Sequence, residues 1–152
     1  MDYIKEIRAL VGSRPLILPG VAILIFDQYK KKLLMQKRTD NQLWGLTGGF
    51  MEPGEEFEET AKREALEELG ISVSNLSFVS LFSGEEFYYK YPNGDEVYSV
   101  IAVYSASCDT EDFVLDQDEV SEVNYFQIDQ LPDHINPNHK SVLKELGYIT
   151  IK

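Results

Sequence analysis

The stretch GGFMEPGEEFEETAKREALEELGI, residues 48–71, places Glu64, Glu67 and Glu68 near its end, with no Lys or Arg after them until Lys90. Its spacing predicts a helix from about Phe57 to Leu69, stopped by Gly70. At about 100° per residue the three glutamates fall within about 100° of one another, and Ala65, Leu66 and Leu69 occupy an adjoining arc. Like charges four residues apart cost roughly 0.2–0.5 kcal/mol per pair, and acids in a last turn oppose the helix dipole by about 0.3–1 kcal/mol each. Taken alone, EELG reads either as a solvated acidic face or as a site for a hard divalent cation. Mg²⁺ fits the second reading, because it takes carboxylate, water and phosphate oxygens in octahedral geometry.

The chain has 152 residues, 43% hydrophobic and 12% aromatic. That is enough for one folded domain spanning 1–152, and no apolar run approaches the ~18 residues of a membrane span. MDYIKEIRALVG at the start mixes acids and bases and lacks an export-signal core. Cys108 is the single cysteine, so a reducing, cytoplasmic setting is expected. A net charge of −12 opposes attraction to long nucleic acids and anionic membranes. A polyanionic substrate would need a cation as intermediary.

Tyr3, Ile4, Ile7, Leu10 and Val11 recur at helical spacing before Gly12, predicting a helix that covers one edge of the core. PLILPGVAILIF (15–26) predicts a strand with an irregular middle, and KKKLLMQKR (30–38) its hairpin partner. A turn-rich stretch, TDNQLWGLTGGFMEPGE, leads into the acidic helix. Asn93-Gly94 in PNGD joins two further strands, SEVNYFQI reads as another, and Pro137 opens a last helix ended by Gly147. Strands interleaved with helices predict an α/β sandwich with a mixed or antiparallel sheet.

The longer pattern decides between the readings of the glutamates. From Gly49 there are five residues to Glu55, seven more to Arg63-Glu64, then Ala65, Leu66, Glu67-Glu68, Leu69, Gly70 and Ile71. At average residue usage the seven fixed positions match by chance at roughly 10⁻⁸ per start position. The pattern resembles the complete signature of the Nudix hydrolases (MutT-like), and LWGLTGG, QKR and FQIDQLP extend the likeness over most of the chain. The resemblance implies the Nudix α/β/α sandwich with a mixed sheet.

It further implies a Mg²⁺-dependent pyrophosphohydrolase, with Mn²⁺ as an alternative ion. The reaction would cleave a nucleoside diphosphate linked to another group by attack of a metal-activated water. Carried onto this chain, the metal ligands would be Glu64, Glu67, Glu68 and the carbonyl of Gly49. Arg63 would pair with Glu55 or Glu67, or else touch phosphate; the structural role is favoured because a planar fork suits carboxylates. Gly48 and Gly49 would let backbone approach the phosphates, and Gly70 would end the helix. Glu64 is the first candidate base and Glu119 in QDEVSEVNYF the second, with Asp118 and Glu122 behind it; an acidic surface loop is the alternative there.

Arg38 is a candidate phosphate contact or a solvated strand-end cation. Trp44 would stack on a base or anchor a loop. Tyr88 resembles the mark of diadenosine-polyphosphate hydrolases. His134 and His139 lack ligand spacing and read as surface residues. Thr47 stands where many relatives have proline and would loosen the lead-in loop. The expected substrate is a small nucleotide: a nucleoside triphosphate, a nucleotide sugar or a dinucleoside polyphosphate. A non-catalytic nucleotide-binding regulator and an RNA 5′-end pyrophosphohydrolase are the alternatives, and the sequence leaves a homodimer open.

Overall fold

The computed structural model describes residues 2–108 and 112–149. Helix α1, Tyr3–Val11, is capped by the Asp2 carboxylate, which accepts from the Ile4 and Lys5 N–H groups. It does not cover a core edge as expected, since none of its residues is buried. Polar links hold it instead. The Tyr3 N–H donates to Glu52 at 3.1 Å, and the Arg8 guanidinium donates to the carbonyls of Gly12, Arg14 and Glu96.

Strand β1, Leu16–Phe26, runs parallel to β7, Glu96–Ser107, in one register from Leu16↔Val97 to Phe26↔Ser107. The irregular middle expected at Pro19-Gly20 does not occur. Pro19 sits just before β1 begins pairing with β4, Thr47–Phe50, at Gly20, where a missing N–H is tolerated. Gly20 answers a spatial demand, because a Cβ there would lie 2.4 Å from the Gly49 carbonyl oxygen.

Strand β2, Lys32–Arg38, meets β1 at the hairpin base, Phe26↔Leu33, and then pairs along its length with β8, Val120–Gln127. The expected hairpin is therefore confined to its turn end, and β4 occupies the edge of β1 beyond it. The stretch read as turns contains β4 and also β3, Trp44–Gly45, which pairs with β2. Strands β5, Ser74–Phe82, and β6, Tyr88–Lys90, both lie antiparallel to β7.

Helices α2, Phe57–Leu69, and α3, Pro137–Glu145, flank the sheet. The two-residue period of β1 feeds both layers. Val21, Ile23 and Ile25 cluster with Ala61, Ala65 and Leu69 of α2, and Ala22 and Leu24 with Val142 and Leu143 of α3. Leu66, placed with the packing arc by its spacing, is 60% exposed. The expected α/β/α sandwich around a mixed sheet is the observed architecture, with the strand order β3-β2-β1-β7-β5 and β4, β6 and β8 branching from it. Among the described residues no helix is long and apolar enough to cross a membrane.

Because β4 lies tight against β1, a Cβ on Gly48 would stand 2.1 Å from the Val21 carbonyl oxygen. Gly48→Ala is expected to lower the unfolding free energy by about 1–3 kcal/mol in urea denaturation, the scale of overpacking. An unchanged midpoint would contradict the close approach.

Candidate active site

Arg63 organises the glutamate helix. Its Nε and Nη2 donate to both oxygens of Glu55 at 2.6 and 3.0 Å, Nη1 donates to Glu64 at 2.9 Å and to Glu67 at 3.2 Å, and Nη2 also reaches the Phe50 carbonyl at 2.9 Å. Glu55 in turn accepts from the Glu52 N–H and the Thr60 hydroxyl. One guanidinium thus ties the loop after β4 to the middle of α2, and the fork is filled by protein partners.

Glu64 and Glu68 point inward. The Glu64 carboxyl lies against Gly49, where a Cβ would stand 2.5 Å from its Cδ. Glu68 is buried; it accepts from Gln36 Nε2 at 2.9 Å and from the Gly48 N–H at 3.3 Å. Thr47, fully buried, donates to Gln36 Oε1 at 3.0 Å. The hydroxyl therefore fixes the amide that orients Glu68, and the lead-in is held, not loosened as the exchange for proline suggested. Gln36 carries no motif of its own; a polar residue inside the apolar run LLMQK was the one available signal.

Burial raises the Glu64 carboxyl above the usual range, against the pull of Arg63, and raises Glu68 further with the Glu64 charge adding to it. Two acids in one dry place repel until a cation or proton joins them. Their hard oxygens suit a divalent ion. Glu67, in contrast, is exposed and drawn to Arg63. Among the described residues no three acidic, histidine or cysteine side chains converge as a group able to hold a metal. Glu64, Glu67 and Glu68 border one cleft, and Arg63 holds one oxygen of Glu64 and one of Glu67. Mg²⁺ commonly takes one or two protein carboxylates and completes its shell with water and phosphate, and the inward pair fits that demand.

The cleft in front of these acids, about 650 Å³, is also lined by Arg38, Gly48, Gly49 and Glu119. Glu119 stands at the exposed rim. Its loop is docked on α2: the Val114 N–H donates to the Leu69 carbonyl at 2.9 Å and the Asp116 N–H to the Glu68 carbonyl at 3.0 Å. These amides answer helix-end carbonyls that no basic residue serves. A smaller cavity, about 100 Å³, continues inward past Gly48, Gly49 and Glu68 to Trp44, Tyr89, Tyr91 and His139.

Arg38 reaches both cavities but is forked onto Asp40 at 2.9 Å twice. Trp44 is half-buried, edge-on to Phe126 at 4.9 Å between centroids, and lines the inner cavity. Tyr88 is not brought to the site. Its hydroxyl donates to Glu96, and strand alternation turns its neighbours Tyr89 and Tyr91 to the cavity in its place. His134 is exposed as expected, whereas His139 is half-buried and its Nδ1 accepts from the Leu46 N–H at 2.9 Å. Enclosure, with Arg38 nearby, pushes its imidazole down to about 4.

The Arg63 fork holds Glu55 down to about 2, below its ordinary 4.5. A depressed folded-state value contributes stability that is present above 4.5 and lost as pH falls toward 2. Glu55→Gln should cost about 1–2 kcal/mol at pH 7, after screening, and should flatten the acid limb of stability. Urea melts from pH 7 to 2.5 check this; parallel curves for the two proteins would contradict it.

The description "NUDIX domain" matches residues 16–146. NAD-capped RNA hydrolases NudC from Enterobacter sp. (strain 638) and Vibrio cholerae are 31% and 30% identical to this chain over 118 residues, 78% of its length. The chain spans 42% and 40% of those relatives' own lengths. Among solved structures, the MutT Nudix hydrolase of Burkholderia pseudomallei has a TM-score of 0.70 at 23% identity, with 86% of this chain and 98% of that one covered. The Nudix domain of Shewanella oneidensis NrtR, solved with ADP ribose, has a TM-score of 0.67 at 20% identity, with 96% and 97% covered. At such identities the structural likeness concerns the fold alone. The domain match covers most of the chain, including the strand, loop and helix that carry Gly48, Gly49, Arg63, Glu64 and Glu68: this protein belongs to the Nudix family.

Proposed function

We propose that the chain is a Mg²⁺-dependent pyrophosphohydrolase acting on a small nucleotide such as a nucleoside triphosphate, a nucleotide sugar or a dinucleoside polyphosphate. The observation that carries this reading is the inward pair Glu64 and Glu68, set against a side-chain-free Gly48-Gly49 backbone in a cleft that runs on to an aromatic cavity. A sensor that only binds nucleotide has no use for a buried carboxylate beside a part-buried one whose charge opposes it.

Glu64, Glu68 and the Gly49 carbonyl would hold the ion, with Glu67 joining when it leaves Arg63. When bound, a divalent ion supplies Lewis-acid charge neutralisation and lowers the pKa of coordinated water. Arg63 holds Glu64 Oε1, so a single oxygen, Oε2, is left for the ion or for the proton of the attacking water. The water oxygen bonds to phosphorus as the bridging P–O bond breaks, and the leaving phosphate departs with the electron pair. Glu119 at the rim is the second candidate for the proton. Trp44, Tyr89 and Tyr91 line the inner cavity and would form the aromatic surroundings of a base or ribose beyond the phosphates.

The NudC relatives, named for NAD-capped RNA, keep an RNA 5′ end in view as the second reading. The charge of −12 favours a small substrate over a long one.

Glu64→Gln is expected to fold normally, because burial already favours a neutral group there, and to lose roughly 10²–10⁴-fold in turnover with every substrate. A nucleotide panel assayed with Mg²⁺ or Mn²⁺, products identified by mass, tests both points. Wild-type rates in the variant, or no hydrolysis of any nucleotide by the unmodified protein, would overturn the reading.

A further inference from the structure

Four cationic side chains border the carboxylate cleft: Lys5, Arg8, Arg38 and Arg63. Three are committed. Arg63 is filled by Glu55, Glu64, Glu67 and the Phe50 carbonyl. Arg38 is forked onto Asp40, and Arg8 is spent on the carbonyls of Gly12, Arg14 and Glu96. Lys5 is exposed, and among the described residues its ammonium is in no hydrogen bond or ion pair.

The helix that carries Lys5 is placed for this. α1 lies outside the residues that match the domain model and buries none of its own. It is nonetheless fixed at both ends, to Glu52 in the loop before α2 and to Glu96 at the β6–β7 hairpin. Between α1 and that loop is an apolar recess of about 400 Å³ walled by Tyr3, Ile4, Leu18, Phe50 and Met51. A helix fastened across a cleft by polar links, with open space beneath it, is not there to complete a core.

The same cleft is bordered by Glu64, Glu67, Glu68 and Glu119, and beside α1 by Asp2, Glu52 and Asp95. A phosphate chain entering it meets acids, which a bound cation offsets only in part, and needs a further positive centre. An ammonium on a flexible stem suits that task, since it binds phosphate as a point charge without a fixed fork. We propose that Lys5 is a substrate-binding residue, its ammonium holding a phosphate of the nucleotide in this cleft, with α1 as the wall that carries it. This assignment rests on the nucleotide reading above.

Calorimetry with ADP in the presence of Mg²⁺ tests it on the full chain, comparing the unmodified protein with Lys5→Gln, Lys5→Arg and Lys140→Gln, the last an exposed position on α3 away from the cleft. Lys5→Gln should bind ADP about tenfold more weakly, the scale of one charge-assisted contact. Lys5→Arg should recover most of the loss, Lys140→Gln should match the unmodified protein, and melting temperatures should be equal. In turnover, KM should rise for Lys5→Gln while kcat stays within about twofold. Equal ADP affinity in Lys5→Gln and the unmodified protein, an equal loss in Lys140→Gln, or no recovery in Lys5→Arg would overturn the assignment. Failure of the unmodified protein to bind ADP would also overturn it, and the nucleotide panel then decides separately whether the hydrolase reading falls too.

Discussion

A single guanidinium decides whether this site exists. Arg63 is the shared partner of a loop carboxylate, a loop carbonyl and two helix carboxylates, so the segment after β4 and the middle of α2 cannot separate without stripping charged hydrogen bonds. Arginine alone can do this, because its planar fork satisfies several acceptors at once while staying charged. Lysine could pair with one carboxylate but would not set the angle between loop and helix. The geometry of Glu64 against Gly49 follows from that angle.

The inward carboxylates are the cost that this clamp makes bearable. Burial and mutual repulsion disfavour two charged acids near one another, and the chain answers with the Arg63 counter-charge at Glu64 and with directed neutral donors at Glu68. The Gly48 N–H and the Gln36 amide hold Glu68, and Thr47 holds Gln36. The backbone partner comes from β4, whose approach to β1 is permitted by glycine at 20 and 48. Packing between two strands and the polarity of the site are thus one problem with one solution.

Much of this was legible from spacing. The glutamate run, Arg63 and the glycine pair announced loop, helix and cleft, and the bounds of α2 came out at the residues that periodicity and Gly70 marked. What escaped notice depended on contacts between residues distant in sequence. Gln36 and His139 are 32 and 93 positions from the residues they bond, Glu68 and Leu46, and no local pattern distinguishes them from ordinary strand or helix residues. Tyr88 was misplaced because three tyrosines in four positions share one motif, and only pairing of β6 with β7 says which of them turn inward. The partial hairpin of β1 and β2 was hidden for the same reason: β4 and β8 compete for their edges, and sequence neighbours lost.

The loop that carries Glu119 is hydrogen-bonded to the carbonyls of Glu68 and Leu69. Rim and glutamate helix consequently form one stiff jaw, and a swing of that rim would have to break backbone bonds at the root of the site itself. α1 is joined to the rest of the fold differently, by the Tyr3 N–H on Glu52 and the Arg8 guanidinium on Glu96, beside a recess of about 400 Å³ that no side chain of its own fills.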